Sequence, residues 1–435
     1  EFPSPNTNKP LHLGHLRNMS IGESVSRILE FSGEKVIRAN LNNDRGIHIC
    51  KSMTAYEKFG KDKKPGRKKS DHFVGDFYVL YNKKLNDKLK SRAQEILQLW
   101  EKGDKKIHAL WKKMNNWALE GFKETYDKFG IHHDIEFFES NLYKKGKNIV
   151  EKGLKNGIFE KTKDGAIKIN LEKEKLGEKV LMRKDGTSVY MTQDLYLAKL
   201  KFEKYKIDKS IYVVGNEQNY HFNVLFSILR KLGFKKQMYH LSYGMVELPE
   251  GKMKSREGNV VDADNLIKDV QKLVKKELNK REKLSKKELE KRSLIISLAS
   301  IKYMLLKTDI KKNMLFNPKE SVSFEGNAGP YLLYTYARSC SILKKAKNYS
   351  SNIKIKNLEK QENKLLTKLN NFTDIFSKAK ENLNPFLIAN YSYELCKTFN
   401  EFYHSCPVIN SDNENFRLLL VDSFRHVLKN SLYLL

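Results

Sequence analysis

The stretch that most constrains this chain is NKPLHLGHLRN, residues 8–18. Two histidines, His12 and His15, are separated by Leu13 and Gly14, with Lys9 just upstream. An apolar-periodic segment follows at once. In HLRNMSIGESVSRILEF (15–31), Val25, Ile28 and Leu29 share one face, which predicts a helix with Gly33 placed to cap its C-terminus. Pro3 and Pro5 hold residues 1–5 extended, and KVIRAN (35–40) reads as a strand. Extended segment, tight turn, helix and strand form the opening of a doubly wound α/β domain with a parallel, Rossmann-like sheet.

The residue types at this turn point to phosphate chemistry. A helix N-terminus presents free N–H groups and a partial positive charge. Gly14 lets a ligand approach the backbone closely. Histidines three residues apart lie on one side of a helical turn, and both can donate to phosphate oxygens as charge builds. Lys9 adds a full positive charge. Two ordinary histidines at a helix start would give the same spacing; the extended segment, Pro10 and following helix favour the phosphate reading.

Further along, the texture changes from about residue 51 to 180. The basic KDKKPGRKKS (61–70) reads as a loop, and long amphipathic patterns such as AQEILQLWEKGDKKIHALWKKMNNWALEGFKETYDKFG (93–130) predict helices, together forming an insertion within the α/β domain. The α/β pattern returns with SVYMTQDLYLAKLKF (188–202), the strand SIYVVG (210–215), the helix YHFNVLFSILRKLG (220–233) and the strand QMYHLSYGMVEL (237–248). EGKMKSREGNV (250–260) is a glycine-flanked loop carrying Lys252, Lys254 and Arg256. Basic loops of this kind can close over a triphosphate. After about residue 262 the pattern is helical to the end, and KKELNKREKLSKKELEKR (275–292) reads as a solvated helix face.

Composition narrows the partners. The formal net charge is +30, which either marks a polyanionic partner, nucleic acid before membrane, or reflects the Lys- and Asn-rich usage of an AT-rich genome. No run of 18 or more apolar residues predicts a membrane span, and EFPSPNTNKP lacks the regions of a signal peptide. Residue 1 is not Met and need not be the natural start. Cys50, Cys340, Cys396 and Cys406 lack CxxC spacing, which argues against zinc or a disulfide framework and for small idle thiols in a reducing cytosol.

HxGH combined with a basic, KMSKS-like loop resembles the class I aminoacyl-tRNA synthetases. EFPSPNTNKPLHLGHLRN, YMTQDLYLA (190–198), YVVGNEQNYHF (212–222), GNAGPYLLYTYAR (326–338) and YELCKTFNEFYHSCPVI (393–409) resemble, in order, blocks of the arginyl-tRNA synthetases. The resemblance spans nearly the whole chain. It implies a catalytic domain over 1–325, with the basic loop and a helical connective region at about 262–325, and an all-α anticodon-binding bundle over 326–435. It also implies a cytoplasmic, monomeric enzyme that uses L-arginine, ATP with Mg2+, and tRNA(Arg), with no structural metal and no membrane.

Residue by residue, the resemblance places Asp194 on the arginine guanidinium, Tyr190 beside it, Glu1, Ser4 and Asn6 on the substrate's polar groups, and Gln218 near its α-amino end. A guanidinium has five fixed donors, so an acceptor-rich pocket suits it. His12, Gly14 and His15 would hold ATP, Gly215 and Glu217 would lie near its ribose, and the backbone at Met245 and Val246 would meet adenine. The basic loop departs from KMSKS: Ser255 stands where the catalytic lysine normally falls. Lys9 is expected to supply that charge, with Lys252 as loop support. Tyr331, Tyr334, Tyr336 and Arg338 are candidates for RNA stacking and phosphate contact, or for helix packing. Arginyl enzymes of bacteria and eukaryotes commonly carry an additional N-terminal domain, so the chain is expected to be either a fragment or a reduced enzyme. Two other readings share part of the pattern: a tRNA-independent HxGH nucleotidyltransferase, which the long helical C-terminal region argues against, and an RNA-binding paralogue without catalysis, which the intact Lys9, His12, His15, Tyr190 and Asp194 argue against.

Overall fold

The computed structural model describes residues 1–60, 62–187, 189–247, 261–346 and 357–435. The basic loop 250–260, with Lys252, Lys254 and Arg256, lies outside these residues. The described chain divides into two units, one of residues 1–18 and 37–244, the other of residues 19–36, 245–247, 261–346 and 357–435.

The first unit is organised by the opening segment. Ala39–Asn42 pairs in parallel with Ile135–Phe138, and Lys209–Gly215 pairs in parallel with Gln237–Tyr243. Residues 1–7 join the two pairs. On one edge the Phe2 N–H donates to the Ala39 carbonyl at 2.9 Å, and the Asn43 N–H donates to the Pro5 carbonyl at 2.9 Å. On the other edge the Glu1 nitrogen donates to the Ile211 carbonyl at 2.7 Å, and the Val213 N–H donates to the Glu1 carbonyl at 3.1 Å. Numbered in chain order, the strands therefore run 3-2-1-4-5, the doubly wound order expected from the sequence. The order reverses between residues 1–7 and 209–215. Beyond the carboxyl ends of those two strands lies the crevice where open α/β sheets bind ligands.

Several boundaries differ from the sequence reading for identifiable reasons. The strand expected at 35–40 forms at Ala39–Asn42, because those residues face Phe2 and Ile135 as partners. The stretch 51–180 is not one helical insertion: Ile135–Phe138 within it belongs to the main sheet. Glu160–Lys161, Ile167–Asn170 and Glu178–Met182 also form a three-stranded antiparallel sheet. The long pattern 93–130 divides into Asp87–Lys102 and Lys105–Phe129. Gly103 turns into the left-handed region (φ 83°) and caps the first of these helices. Asp104 caps the second by accepting from the Lys106 and Ile107 N–H groups. These helices bury Ile96, Trp100 and Met114 in one core with Ile49, Met53 and Tyr81 of the preceding helices.

The second unit is helical, apart from the short parallel pair Val246–Glu247 and Met314–Leu315. The charged segment 275–292 spans the end of Ala263–Arg281 and the start of Lys286–Leu306, where its charges pair with each other: Arg292 with Glu288, and Lys275 with Glu290. Helices Gly329–Ala346, Lys360–Asn370, Phe372–Asn382, Phe386–Ser405 and Glu414–Leu434 close the chain. Phe399 and Phe424 stack at 3.8 Å between ring centroids in their core. Arg417 and Glu362 form an ion pair of 2.7 Å with side chains 9% and 0% exposed. No helix among the described residues is long and apolar enough to cross a membrane.

Candidate active site

The opening helix, Leu13–Phe31, begins at the crevice. The His12 carbonyl accepts from the His15 N–H at 2.8 Å and from the Leu16 N–H at 3.1 Å. His12 Nδ1 accepts from the Gly14 N–H at 3.1 Å, while the His12 N–H donates to His15 Nδ1 at 3.1 Å. The two imidazoles thus cap the helix reciprocally, with ring centroids 3.9 Å apart. A ring nitrogen that accepts carries no proton, so each neutral ring holds its proton on Nε2. Desolvation first, then the neighbouring His12 and Lys9, hold the His15 pKa well below the ordinary histidine range. His15 is therefore neutral at pH 7, the state its accepting Nδ1 requires. A Cβ at Gly14 would lie 3.0 Å from two His12 ring atoms, so glycine is what lets the ring reach the helix end. Asn18, one turn in, donates to the Val213 carbonyl at 2.7 Å and to the Tyr243 hydroxyl at 3.0 Å, fixing the helix to both strands beyond the switch point.

Across the crevice, Gly215 ends its strand and Asn216–Gln218 makes a single 3₁₀ turn that leaves Glu217 and Gln218 exposed. Desolvation lowers the Lys9 pKa, and the Glu217 charge opposes that shift. Lys9 and Glu217 thus sense each other from the ends of neighbouring strands. Ser4 takes a left-handed conformation (φ 56°), which is costly for a residue with a Cβ. It is held there because its N–H donates to Asn40 Oδ1 at 3.1 Å and its carbonyl accepts from Asn43 Nδ2 at 2.9 Å. Asn6 is exposed and bridges to Asn43.

Tyr190 opens the helix Tyr190–Tyr205 and is exposed, and Asp194 follows one turn later. A Cβ at Gly46 would lie 3.2 Å from the Tyr190 hydroxyl oxygen, so that glycine (φ 105°) makes room for it. Asp194 Oδ2 meets His221 Nε2 at 2.7 Å, with the two side chains 28% and 29% exposed. Glu1 is placed differently from the expectation. Its carboxylate pairs with Lys201 at 2.8 Å, with side chains 8% and 5% exposed. Met245 and Val246 fall in the second unit. Both Met245 backbone groups are taken: its N–H donates to Asn313 Oδ1 at 2.8 Å, and its carbonyl accepts from the Met314 N–H at 2.9 Å. The Met245 N–H is thus engaged, while its carbonyl keeps a second lone pair. Lys252 lies outside the described residues.

Sequence reasoning missed His221, Lys201, Asp44, Arg45 and Glu139. His221 sits inside the quoted block 212–222, and its spacing from Gln218 was the available signal. Asp44 accepts from the Ser140 N–H at 2.9 Å and the Ser140 hydroxyl at 2.6 Å, which fixes the start of the short helix Glu139–Leu142. The Arg45 guanidinium lies 3.9 Å from the Tyr143 ring centroid and pairs with Glu101. Glu139 is 4% exposed, and burial is the main cause that pushes its pKa up to about 7.

Comparison with known proteins agrees with this geometry. Residues 1–318 match the family described as tRNA synthetases class I (R), catalytic domain, and residues 332–435 match the DALR anticodon binding domain. The chain is 46% identical over 470 residues to an arginine–tRNA ligase of Parabacteroides distasonis, covering 100% of this chain and 79% of that protein. It is 48% identical over 455 residues to an arginine–tRNA ligase of Treponema denticola, covering 100% of this chain and 77% of that protein. Its fold matches the solved arginyl-tRNA synthetase of Thermus thermophilus with a TM-score of 0.89 at 24% identity, over 99% of this chain and 80% of that one. The chain belongs to the arginyl family of class I tRNA synthetases.

Proposed function

We propose that this chain activates L-arginine with ATP and transfers the arginyl group to the 3′ end of tRNA(Arg). The observation that carries the reading is the switch point, which sets the histidine-capped helix end and Lys9 opposite Gly215–Gln218. His12 and His15 donate Nε2–H groups to the ATP phosphates, and Lys9 neutralises charge as pyrophosphate leaves. Gly14 keeps the His12 ring in place, and Gly215 and Glu217 border the ribose. Arginine's carboxylate attacks the α-phosphate in line, with positioning and electrostatics supplying most of the rate. Magnesium carried by ATP shares the phosphate charge. The adenosine 2′-hydroxyl of the tRNA then takes the arginyl group from the adenylate.

Asp194 pairs with the guanidinium, Tyr190 lies beside it, Ser4 and Asn6 contact polar groups of the substrate, and Gln218 receives the α-amino end. Glu1 supports the strand through Lys201 rather than touching arginine. Lys252 and its loop assist at the triphosphate. The catalytic domain runs to about residue 325 and the anticodon-binding bundle occupies 326–435. The enzyme works as a cytoplasmic monomer. The test is arginine-dependent ATP–pyrophosphate exchange, with and without cognate tRNA. Exchange that requires tRNA is expected. Exchange without tRNA would point to another activating enzyme, and none in either case would overturn the reading.

A further inference from the structure

Resting on the arginine-activating reading, we infer that Lys201 is a positioning residue, whose buried ammonium fixes the helix Tyr190–Tyr205 in register against the two strands beside the switch point. It acts through its neighbours and not on substrate. Tyr190, Asp194, Leu197 and Lys201 stand at i, i+4, i+7 and i+11, one stripe of that helix. The stripe runs from the exposed Tyr190 through the partly exposed Asp194 to the buried Leu197 and Lys201. Lys201 lies seven residues, about 10 Å, beyond Asp194 along the axis. It is 4% exposed. Its Nζ donates to Glu1 Oε2 at 2.8 Å and lies 3.9 Å from the Tyr212 ring centroid. Burial opposes its charge, but Glu1 and Tyr212 outweigh burial and raise the Lys201 pKa, so the lysine is ionised at pH 7.

Both partners of the ammonium are a short stretch of strand away from the pocket. Glu1 stands three residues before Ser4 and five before Asn6. Tyr212 stands three before Gly215 and six before Gln218. The two strands already hold each other by backbone bonds between Glu1 and both Ile211 and Val213. The helix has no such ladder, because its backbone groups are spent within it. Only side chains set how far it slides along the sheet. Its buried Leu195, Leu197 and Ala198 pack against apolar neighbours on the sheet side, but apolar burial is non-directional. A hydrogen-bonded ion pair beside an aromatic face is satisfied at one distance and direction. Stability alone gives little reason for a lysine here, since apolar replacements of buried ion pairs are often neutral. The phosphate side is held separately: Thr7 and Pro5 bond Asn43, and Asn18 bonds Val213 and Tyr243. Loss of the Lys201 contacts therefore displaces Tyr190 and Asp194 from Ser4, Asn6 and Gln218 while leaving Lys9, His12 and His15 in place. A misplacement of about 1 Å can cost up to about 100-fold in rate.

The experiment measures tRNA-dependent arginylation by the full chain, for the wild type, Lys201→Met and Lys201→Arg, with arginine and ATP varied separately and urea midpoints taken in parallel. Lys201→Met keeps the length of the side chain and removes its charge. It is expected to raise the arginine KM roughly 10–100-fold with the ATP KM within about threefold of wild type. Lys201→Arg, which keeps a cationic donor, is expected to bring the arginine KM back to within about tenfold of wild type. A merely structural lysine would lower the urea midpoint and the active fraction, hence kcat, but leave the arginine KM of the folded enzyme unchanged; that result would overturn the proposal. Equal losses for arginine and ATP, or no recovery in a folded Lys201→Arg, would overturn it too. Should Lys201→Met not fold, the double variant Glu1→Gln/Lys201→Met, which leaves no buried charge unpaired, takes its place under the same criteria for the arginine and ATP KM. A wild type that forms no arginyl-tRNA would sink the synthetase reading; an active wild type whose arginine KM is indifferent to Lys201 sinks this inference alone.

Discussion

Asp194→Asn isolates the charge that selects the substrate. The amide is isosteric with the carboxylate and can keep the 2.7 Å contact with His221, so the helix Tyr190–Tyr205 has no reason to move. What is lost is the ionic part of the bond to a guanidinium. Hydrogen bonds to charged groups contribute about 1.5–3 kcal/mol, and truncating one partner of a buried charge pair costs about 2–5 kcal/mol. The Asp194 side chain is 28% exposed, so solvent screens part of that field and the overlap of the two ranges applies. A loss of about 2–3 kcal/mol is roughly a 30–150-fold fall in kcat/KM for arginine. The assay is steady-state arginylation at saturating tRNA, with ATP titrated in parallel and tRNA binding measured separately. An arginine KM within about threefold of wild type, or a loss shared equally with ATP, would refute the reasoning.

Three further outcomes follow from other contacts. Gly14→Ala puts a Cβ against the His12 ring, which must leave the Gly14 N–H; a fall of about tenfold in kcat/KM for ATP is expected from losing one capping bond of about 1 kcal/mol and the ring's aim, read by ATP titration. Arg417→Leu strands the fully buried Glu362 and should cost about 3–5 kcal/mol, seen as a lower urea midpoint for the C-terminal helices. Glu139→Gln should stabilise the protein at high pH. The folded pKa of about 7 lies above the ordinary 4.5, so the protonated form is favoured by folding and stability falls as pH rises between those values. The gain is at most about 3 kcal/mol at pH 8 and vanishes below pH 4.5; urea midpoints of both proteins at pH 5 and 8 check the sign.

What the sequence made legible was whatever rests on local pattern. The helix beginning beside Gly14, the strand near 210–215 and the helix carrying Tyr190 and Asp194 each follow from periodicity and turn residues within one segment. The strand at 39–42 shifted because its limits are set by Phe2 and Ile135, which come from other parts of the chain. Ile135–Phe138 was hidden for the same reason: four residues between helices acquire meaning only from the partner they pair with. Lys201 and Glu139 look like surface charges in sequence. Their burial comes from Glu1, 200 residues away, and from a short helix lying against Gln193 and Asp194. No spacing rule reaches such pairs.

The place of residues 1–7 in the middle of the sheet has a consequence for how the chain is made. This segment is synthesised before Ile211, which closes its second edge 210 residues further on. At about 5–20 residues per second, translation takes about 10–40 s to deliver that partner. During that interval the segment has at most Ala39–Asn42 beside it and exposes a hydrogen-bonding edge. Closing so wide a loop is entropically slow. Completion of the sheet, and with it assembly of the crevice, is therefore a late event in the life of the nascent chain, and the exposed edge is the place where a premature partner would lodge.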